Sequence, residues 1–433
     1  MLPRSLFLTT TLCLGLTKAE QASNFDLLPE LMEEHGCDAH CQAAVAQANA
    51  ADLQIFGTEF DFEFYSTAAN FTASMPGDVL KLNLVDSSTI NVEPGTTVFK
   101  MQYTSEDLDG SPVPATAFIA FPLAEAADPY KLVAIAHGTT GVFRGCAPSV
   151  SNAMPSYQGW ETTGYAVVAT DYTGLGNNYT NHKYLSNAAH ANDVIYSVVA
   201  AKSAFPHRLT NEWVSFGHSQ GGSAVWKLSE QKLVQDPRSG YLGGVAMAPA
   251  APQTHEQIVS GLDMFRDSTD PAALSYLPAM IGVYLGAKVV FPDYDPTWLS
   301  NEAKKLFELP GLGQYCVTAM WSLLSTSSPD KLLASFDASR DSTSMEFQKI
   351  NGVGLGSSAS RPLLVAHGDK DVTVSVNSTI AAFKDACSHG NPVHLSIYPG
   401  QDHSGVVAES RPEWLRFIAD RFDGAEFDNA CAK

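Results

Sequence analysis

Residues 213–228 read WVSFGHSQGGSAVWKL, and no other stretch restricts the fold of this chain as tightly. Trp213, Val214 and Phe216 suit a short buried strand. From Ser223 onward, Ala224, Val225, Leu228 and Leu233 recur at roughly helical spacing. Gly217 and Gly221 flank Ser219 at i−2 and i+2. A strand that turns sharply into a helix needs small residues on both sides, because a Cβ there collides with neighbouring backbone. Such a turn holds the serine in a strained conformation with its Oγ exposed. A glycine-rich connection with an incidental serine would read the same over these five residues. The motif therefore acquires chemical meaning only with partners elsewhere.

The rest of the chain sets that motif in an alternating pattern. DVLKLNLVD, TTVFKMQYTS, PATAFIAFPL and KLVAIAHG read as strands. GYAVVATDYTGLG follows, then a helical pattern in NDVIYSVVAAKSAF that Pro206 ends. Strands alternating with helices predict an α/β protein with a mostly parallel central sheet flanked by helices. The alternation stops over 251–350, where helices and loops carry Leu277, Met280, Ile281, Tyr284 and Phe291. It resumes in RPLLVAHGDKDVTV and PVHLSIYPGQDHSG. The expected organisation is a leader over 1–19 and a helical segment over 20–55 that wraps the main domain. A core follows over 56–250, then an inserted helical cap or lid over 251–350 and the rest of the core over 351–433.

A nucleophilic Ser219 needs a base, and the base needs an orienting acid. LLVAHGDKDVTV is an apolar strand running into a loop with Asp369 and Asp371, and HLSIYPGQDHSG ends in a loop carrying His403. Both lie just beyond strand ends, where open α/β sheets build their sites. The chain order Ser219, Asp371, His403 is that of the α/β-hydrolase fold. Asp371 is preferred over Asp369 because the acid of this fold lies four residues past the strand-end histidine of an H-G-x-x-D turn. Asp369 then reads as a turn former. Acyl transfer also needs two donors for the oxyanion. Gln220 N–H, just after the nucleophile, is one candidate. Thr139 N–H, aided by its hydroxyl, is the other, in the AIAHGTTG loop where Gly138 permits close approach.

Composition bounds the partners. A formal charge of −20 disfavours nucleic acid and anionic membrane surfaces. The leader MLPRSLFLTTTLCLGLTKA has a basic residue, an apolar run and small residues before Glu20, the layout of a secretory signal peptide. The later apolar stretch around Met280 is broken by Pro278, Gly282, Gly286 and Lys288, which argues against an integral membrane span. Past the leader, six cysteines remain: Cys37, Cys41, Cys146, Cys316, Cys387 and Cys431. An even number in a secreted chain points to disulfides. Sequons at Asn70, Asn178 and Asn377 fit the same compartment. In EHGCDAHC the spacing of His35, Cys37, His40 and Cys41 matches no usual zinc pattern, whereas cysteines four apart on a helix can bridge. Neither a metal nor an organic cofactor is expected.

The segments AHGTTGVFRGCAPS (136–149), VVATDYTGLG (167–176), GHSQGG (217–222), HGDKDVTV (367–374) and YPGQDHSG (398–405) resemble the fungal secretory lipase family of α/β-hydrolases. The resemblance spans nearly the whole chain past the leader, and the HGTTG…CAPS segment is much more specific than the serine motif. It implies Ser219 as nucleophile, Asp371 as acid, His403 as base and a helical cap between core strands. It also implies two long-range disulfides, Cys146 with Cys316 and Cys387 with Cys431, leaving Cys37 with Cys41. Similar fungal proteins include triacylglycerol lipases and esterases that deacetylate secondary metabolites such as sesquiterpenoid toxins. The leading expectation is a secreted serine carboxylic-ester hydrolase acting on a lipid or other apolar ester, with transient lipid-interface contact through the cap. A dedicated deacetylase ranks next, a serine peptidase or amidase after it, and a non-catalytic binder of apolar ligands last. An apolar cap suits an acyl chain and a terpenoid equally.

Overall fold

The computed structural model describes residues 21–86, 95–122, 129–150, 164–251, 284–334 and 341–432. The leader therefore lies outside the described residues, as does part of the expected cap. Nine strands form one sheet: β1 (Val79–Leu84), β2 (Thr96–Glu106), β3 (Pro112–Pro122), β4 (Tyr130–Ala136), β5 (Ala166–Thr170), β6 (Leu209–His218), β7 (Tyr241–Met247), β8 (Leu363–Gly368) and β9 (Val393–Tyr398). Their spatial order is β1-β2-β3-β5-β4-β6-β7-β8-β9. The β1–β2, β2–β3 and β3–β5 pairs are antiparallel, and every pair from β5–β4 through β8–β9 is parallel.

Parallel strands covered on both faces read as continuous apolar runs rather than alternating ones. LLVAHG of β8 and AVVAT of β5 do so, and every residue in them is buried. Successive side chains still take opposite faces. Leu132, Ala134, Val168 and Ala246 point to one side, against α2 (Asn187–Ala204) and α3 (Gln220–Ser229). Val133, Ile135, Val214 and Val245 point to the other, against Trp414, Phe417 and Ile418 of the C-terminal helix Arg411–Phe422. The strand leading to Ser219 is thus central, with Phe216 in register with Ile135 of β4 and Val245 of β7.

The N-terminal helix α1 (Ala39–Phe56) packs on helices inserted between β7 and β8. Val45 and Ala48 share an apolar cluster with Leu299, Leu306 and Leu323. The buried Asp52 carboxylate accepts the N–H groups of Thr318 (3.2 Å) and Ala319 (2.9 Å) at the start of α4 (Val317–Ser325). Three disulfides join Cys37 to Cys41, Cys146 to Cys316 and Cys387 to Cys431. Cys37 precedes α1, which begins at Ala39, so the local bridge closes the turn into the helix rather than two helical positions. Asn70, Asn178 and Asn377 are exposed.

Candidate active site

Ser219 sits between the end of β6 and the first turn of α3, with φ 60° and ψ −121°. Few non-glycine residues adopt such a backbone, and holding one there costs about 1–3 kcal/mol. The surrounding glycines make it accessible to the chain. A Cβ on Gly217 would lie 2.1 Å from Gly221 O, and one on Gly221 would lie 1.9 Å from Ala136 O. Removing side chains there lets α3 begin against the carboxyl end of β4. Ser219 N–H donates to Met247 O (2.9 Å), which fixes the turn to β7.

Asp371 and His403 come from the ends of β8 and β9. His403 Nδ1 lies 2.7 Å from Asp371 Oδ2. A carboxylate only accepts, so Nδ1–H is the donor of this hydrogen bond. Asp371 Oδ1 accepts the N–H groups of Thr373 and Val374, both at 2.8 Å. Burial alone would raise the Asp371 pKa. Hydrogen bonds from His367 and His403, with Val374 N–H, outweigh it and hold the carboxyl well below the usual carboxylate range. Asp369 instead caps the turn after β9, accepting Gly400 N–H at 2.6 Å.

Two histidines that the sequence reading left without a role complete this cluster. His367 Nε2 lies 3.1 Å from Asp371 Oδ2, so one carboxylate oxygen serves two imidazoles. His218 Nε2 donates to His403 O (2.7 Å), and the two rings lie 4.6 Å apart. Burial, and next the neighbouring His403, push the His218 pKa down to about 4, so it remains a neutral support for the base's loop. Both were visible in the quoted motifs, His367 in HGDKD and His218 beside the serine, but nothing in their spacing assigned these partners.

Ser219, His403 and Thr139 line one cavity of about 700 Å³. Its apolar wall includes Ile135, Phe216, Val407 and Trp414 from the core, and Val317 and Trp321 from α4. Neither Thr139 N–H nor Gln220 N–H has a hydrogen-bond acceptor among the described residues. Gly138 lets the Thr139 loop approach: its missing Cβ would stand 3.7 Å from Ser219 Cβ. That loop is also bound to the cavity wall. Val317 N–H donates to Thr140 O (3.0 Å), Gly141 forms a bridge with Cys316, and Cys146 is linked to Cys316. Among the described residues, no group of His, Cys, Asp or Glu is arranged to hold a metal ion.

The geometry is one in which a serine hydroxyl, an imidazole and two backbone donors can act on a carbonyl. Residues 323–425, which carry Asp371 and His403, match the prolyl oligopeptidase family. No curated protein sequence matches the chain. Solved structures do. The closed state of lipase A from Candida antarctica superposes with a TM-score of 0.67 at 19% identity, over 86% of this chain and 88% of that one. The cell wall degrading esterase of Xanthomonas oryzae, in a ligand-bound form, gives 0.59 at 18% identity over 82% and 100%. A putative hydrolase of Legionella pneumophila gives 0.62 at 17% identity over 80% and 96%. The chain has the α/β-hydrolase fold.

Proposed function

We propose that this chain is a secreted serine hydrolase of carboxylic esters, with Ser219 as nucleophile, His403 as general base and Asp371 as the acid that orients it. The observation that carries the reading is the 2.7 Å contact of His403 Nδ1 with Asp371, in a cavity that the strained Ser219 also lines. In this mechanism His403 Nε2 takes the Ser219 proton as Oγ attacks the acyl carbon. The tetrahedral oxyanion is held by Thr139 N–H and Gln220 N–H, and His403 returns the proton to the departing alcohol. Water then enters, with His403 again as base, and the acyl-enzyme is hydrolysed. Asp371, ionised throughout, stabilises the imidazolium at each step.

The largely apolar cavity supports an ester with an apolar acyl or alcohol part. The similar lipase and esterase structures point the same way. Three disulfides, three exposed sequons and the leader support secretion. We rank a lipase or general carboxylesterase above a deacetylase of secondary metabolites, with the helices inserted between β7 and β8 acting as a cap. One observation favours a second reading, peptidase or amidase: the prolyl oligopeptidase match over 323–425.

The test is the rate on p-nitrophenyl esters from acetate to palmitate and on aminoacyl arylamides, for wild type and Ser219→Ala. Ester turnover that falls on the order of 10⁶-fold in the variant is expected. Long-chain preference assigns a lipase, acetate preference assigns a deacetylase, and arylamide rates matching ester rates assign an amidase. A variant that keeps wild-type activity removes Ser219 from the mechanism.

A further inference from the structure

The two oxyanion donors sit on separate elements, Thr139 on the loop after β4 and Gln220 at the first position of α3. Their side chains meet behind the site. Thr139 Oγ1 lies 3.4 Å from Gln220 Oε1 and 2.8 Å from the hydroxyl of Tyr184. On the far side, Gln220 Nε2 lies 3.4 Å from His182 Nε2 and 3.5 Å from His190 Nδ1. Tyr184, His182, His190 and Gln220 are all at most 4% exposed.

Donor and acceptor roles can be followed along this chain. His182 Nδ1 lies 3.1 Å from Thr173 O, and a carbonyl only accepts, so Nδ1 carries the proton and Nε2 is bare. Nε2 then accepts from the Gln220 amide nitrogen. The reversed amide would set its oxygen against a bare nitrogen, which fixes Gln220 Oε1 toward Thr139. That oxygen accepts the Thr139 proton, so the Thr139 hydroxyl in turn accepts from Tyr184. Its proton is thereby directed toward Gln220. Burial pushes Tyr184 up to about 12 and His182 down to about 3, and drives His190 well below its ordinary value. All three keep these roles across the working pH range. The His182 and His190 rings stack 5.1 Å apart at 7°, and His190 stacks on Tyr172 at 4.3 Å, giving the amide a rigid backing.

We propose that Tyr184, His182 and His190 are positioning residues which, through the side chains of Thr139 and Gln220, hold the two backbone oxyanion donors at one separation. The inference rests on the ester-hydrolase reading. Each contact of 3.4–3.5 Å is long and individually weak. The function is geometric: Gln220 cannot shift along α3, nor Thr139 along its loop, without breaking the chain. Misplacing a catalytic group by an ångström costs on the order of 10²-fold, and losing one donor about 10²–10³-fold.

The experiment compares Gln220→Met, Tyr184→Phe, Thr139→Val and Thr139→Ser with wild type. Each keeps both backbone donors. Rates on a p-nitrophenyl ester are expressed per active site titrated with a serine-directed phosphonate, so unfolded protein does not count. Inhibition by a trifluoromethyl ketone, whose adduct carries an oxyanion, is measured alongside. Gln220→Met and Tyr184→Phe are expected to lower kcat about ten-fold or more, with KM within about two-fold. Ketone affinity falls in step with kcat/KM, and Thr139→Ser retains the activity that Thr139→Val loses. The double variant Gln220→Met/Tyr184→Phe loses little more than the worse single one, because both break one chain. If Gln220→Met is as fast as wild type or faster, the Thr139 hydroxyl itself serves the oxyanion and the proposal falls. A kcat loss without weaker ketone binding also overturns it. Wild type that neither turns over esters nor reacts with the phosphonate refutes the hydrolase reading instead.

Discussion

Ser219 holds a backbone conformation, φ 60° and ψ −121°, that glycine adopts at little cost and other residues do not. The strain belongs to function, since it aims Oγ into the cavity, so removing the side chain should return stability. Both Ser219→Gly and Ser219→Ala lack the Ser219 hydroxyl, the proposed nucleophile, but only the glycine relieves the backbone. After allowing for the greater freedom of glycine in the unfolded chain, Ser219→Gly should be the more stable by about 1 kcal/mol. Urea denaturation of the two variants measures this directly, and an alanine variant as stable as the glycine one would show that the turn is not strained. At this scale much was legible in the sequence. The flanking glycines and the strand context marked Ser219, and the loops past two apolar runs marked Asp371 and His403. The buried His182–His190 pair was not legible. Their spacing of eight carries no motif, and their role depends on Gln220, which reaches them only once α2 and α3 lie side by side.

At the scale of elements, the Thr139 loop depends on a segment far along the chain. Cys146 and Cys316 are separated by 170 positions, and their bridge ties that loop to the helix bearing Val317 and Trp321. Asp52 of α1 holds the first turn of the same helix, so three distant segments meet at one wall. In the chain-entropy account a long closed loop contributes more than a short one. Replacing Cys146 and Cys316 by serine should therefore cost about 2–5 kcal/mol. Replacing Cys37 and Cys41, only 4 positions apart, should cost less. The first pair should also lower kcat, because the loop bearing Thr139 loses an anchor. Thermal melts and ester rates of the two double variants test this ordering, and equal melting temperatures would contradict it.

For the whole molecule, burial of neutral imidazoles dominates the response to acid. Burial lowers the pKa of His137 from 6.5 to about 4, that of His182 to about 3 and that of His218 to about 4, and it lowers His190 strongly as well. Between pH 4 and 6.5 the unfolded chain therefore binds protons at these four positions that the native chain refuses. Stability then rises with pH across that window. Asp193 works against them. Burial raises it from 3.8 to about 6, so in the native state it keeps a proton that the unfolded chain releases, and it lowers stability as pH rises from 4 to 6. Burial also raises Asp52, Asp171 and Glu230, which oppose the histidines in the same sense, but less far than it displaces the four imidazoles, so the histidines dominate. Asp371, held low, adds a loss only below pH 4, as pH falls toward its native value. Urea midpoints should therefore climb between pH 4.5 and 6.5, and a flat or falling series would show that these imidazoles are protonated in the native protein.

What the sequence determined by itself was local or repetitive: strand and helix alternation, the glycine-framed turn, and the order of serine, aspartate and histidine along the chain. These depend on short-range sterics and on which faces must be apolar, and both leave a trace in neighbouring residues. The tertiary structure alone decided what crosses between elements. It set α1 against the inserted helices, gave Asp371 a second imidazole, and brought the Thr139 hydroxyl against both Gln220 and Tyr184. Hydrogen-bond direction and close packing are settled by atoms brought together from distant parts of the chain, and no spacing along the sequence records which atoms those will be.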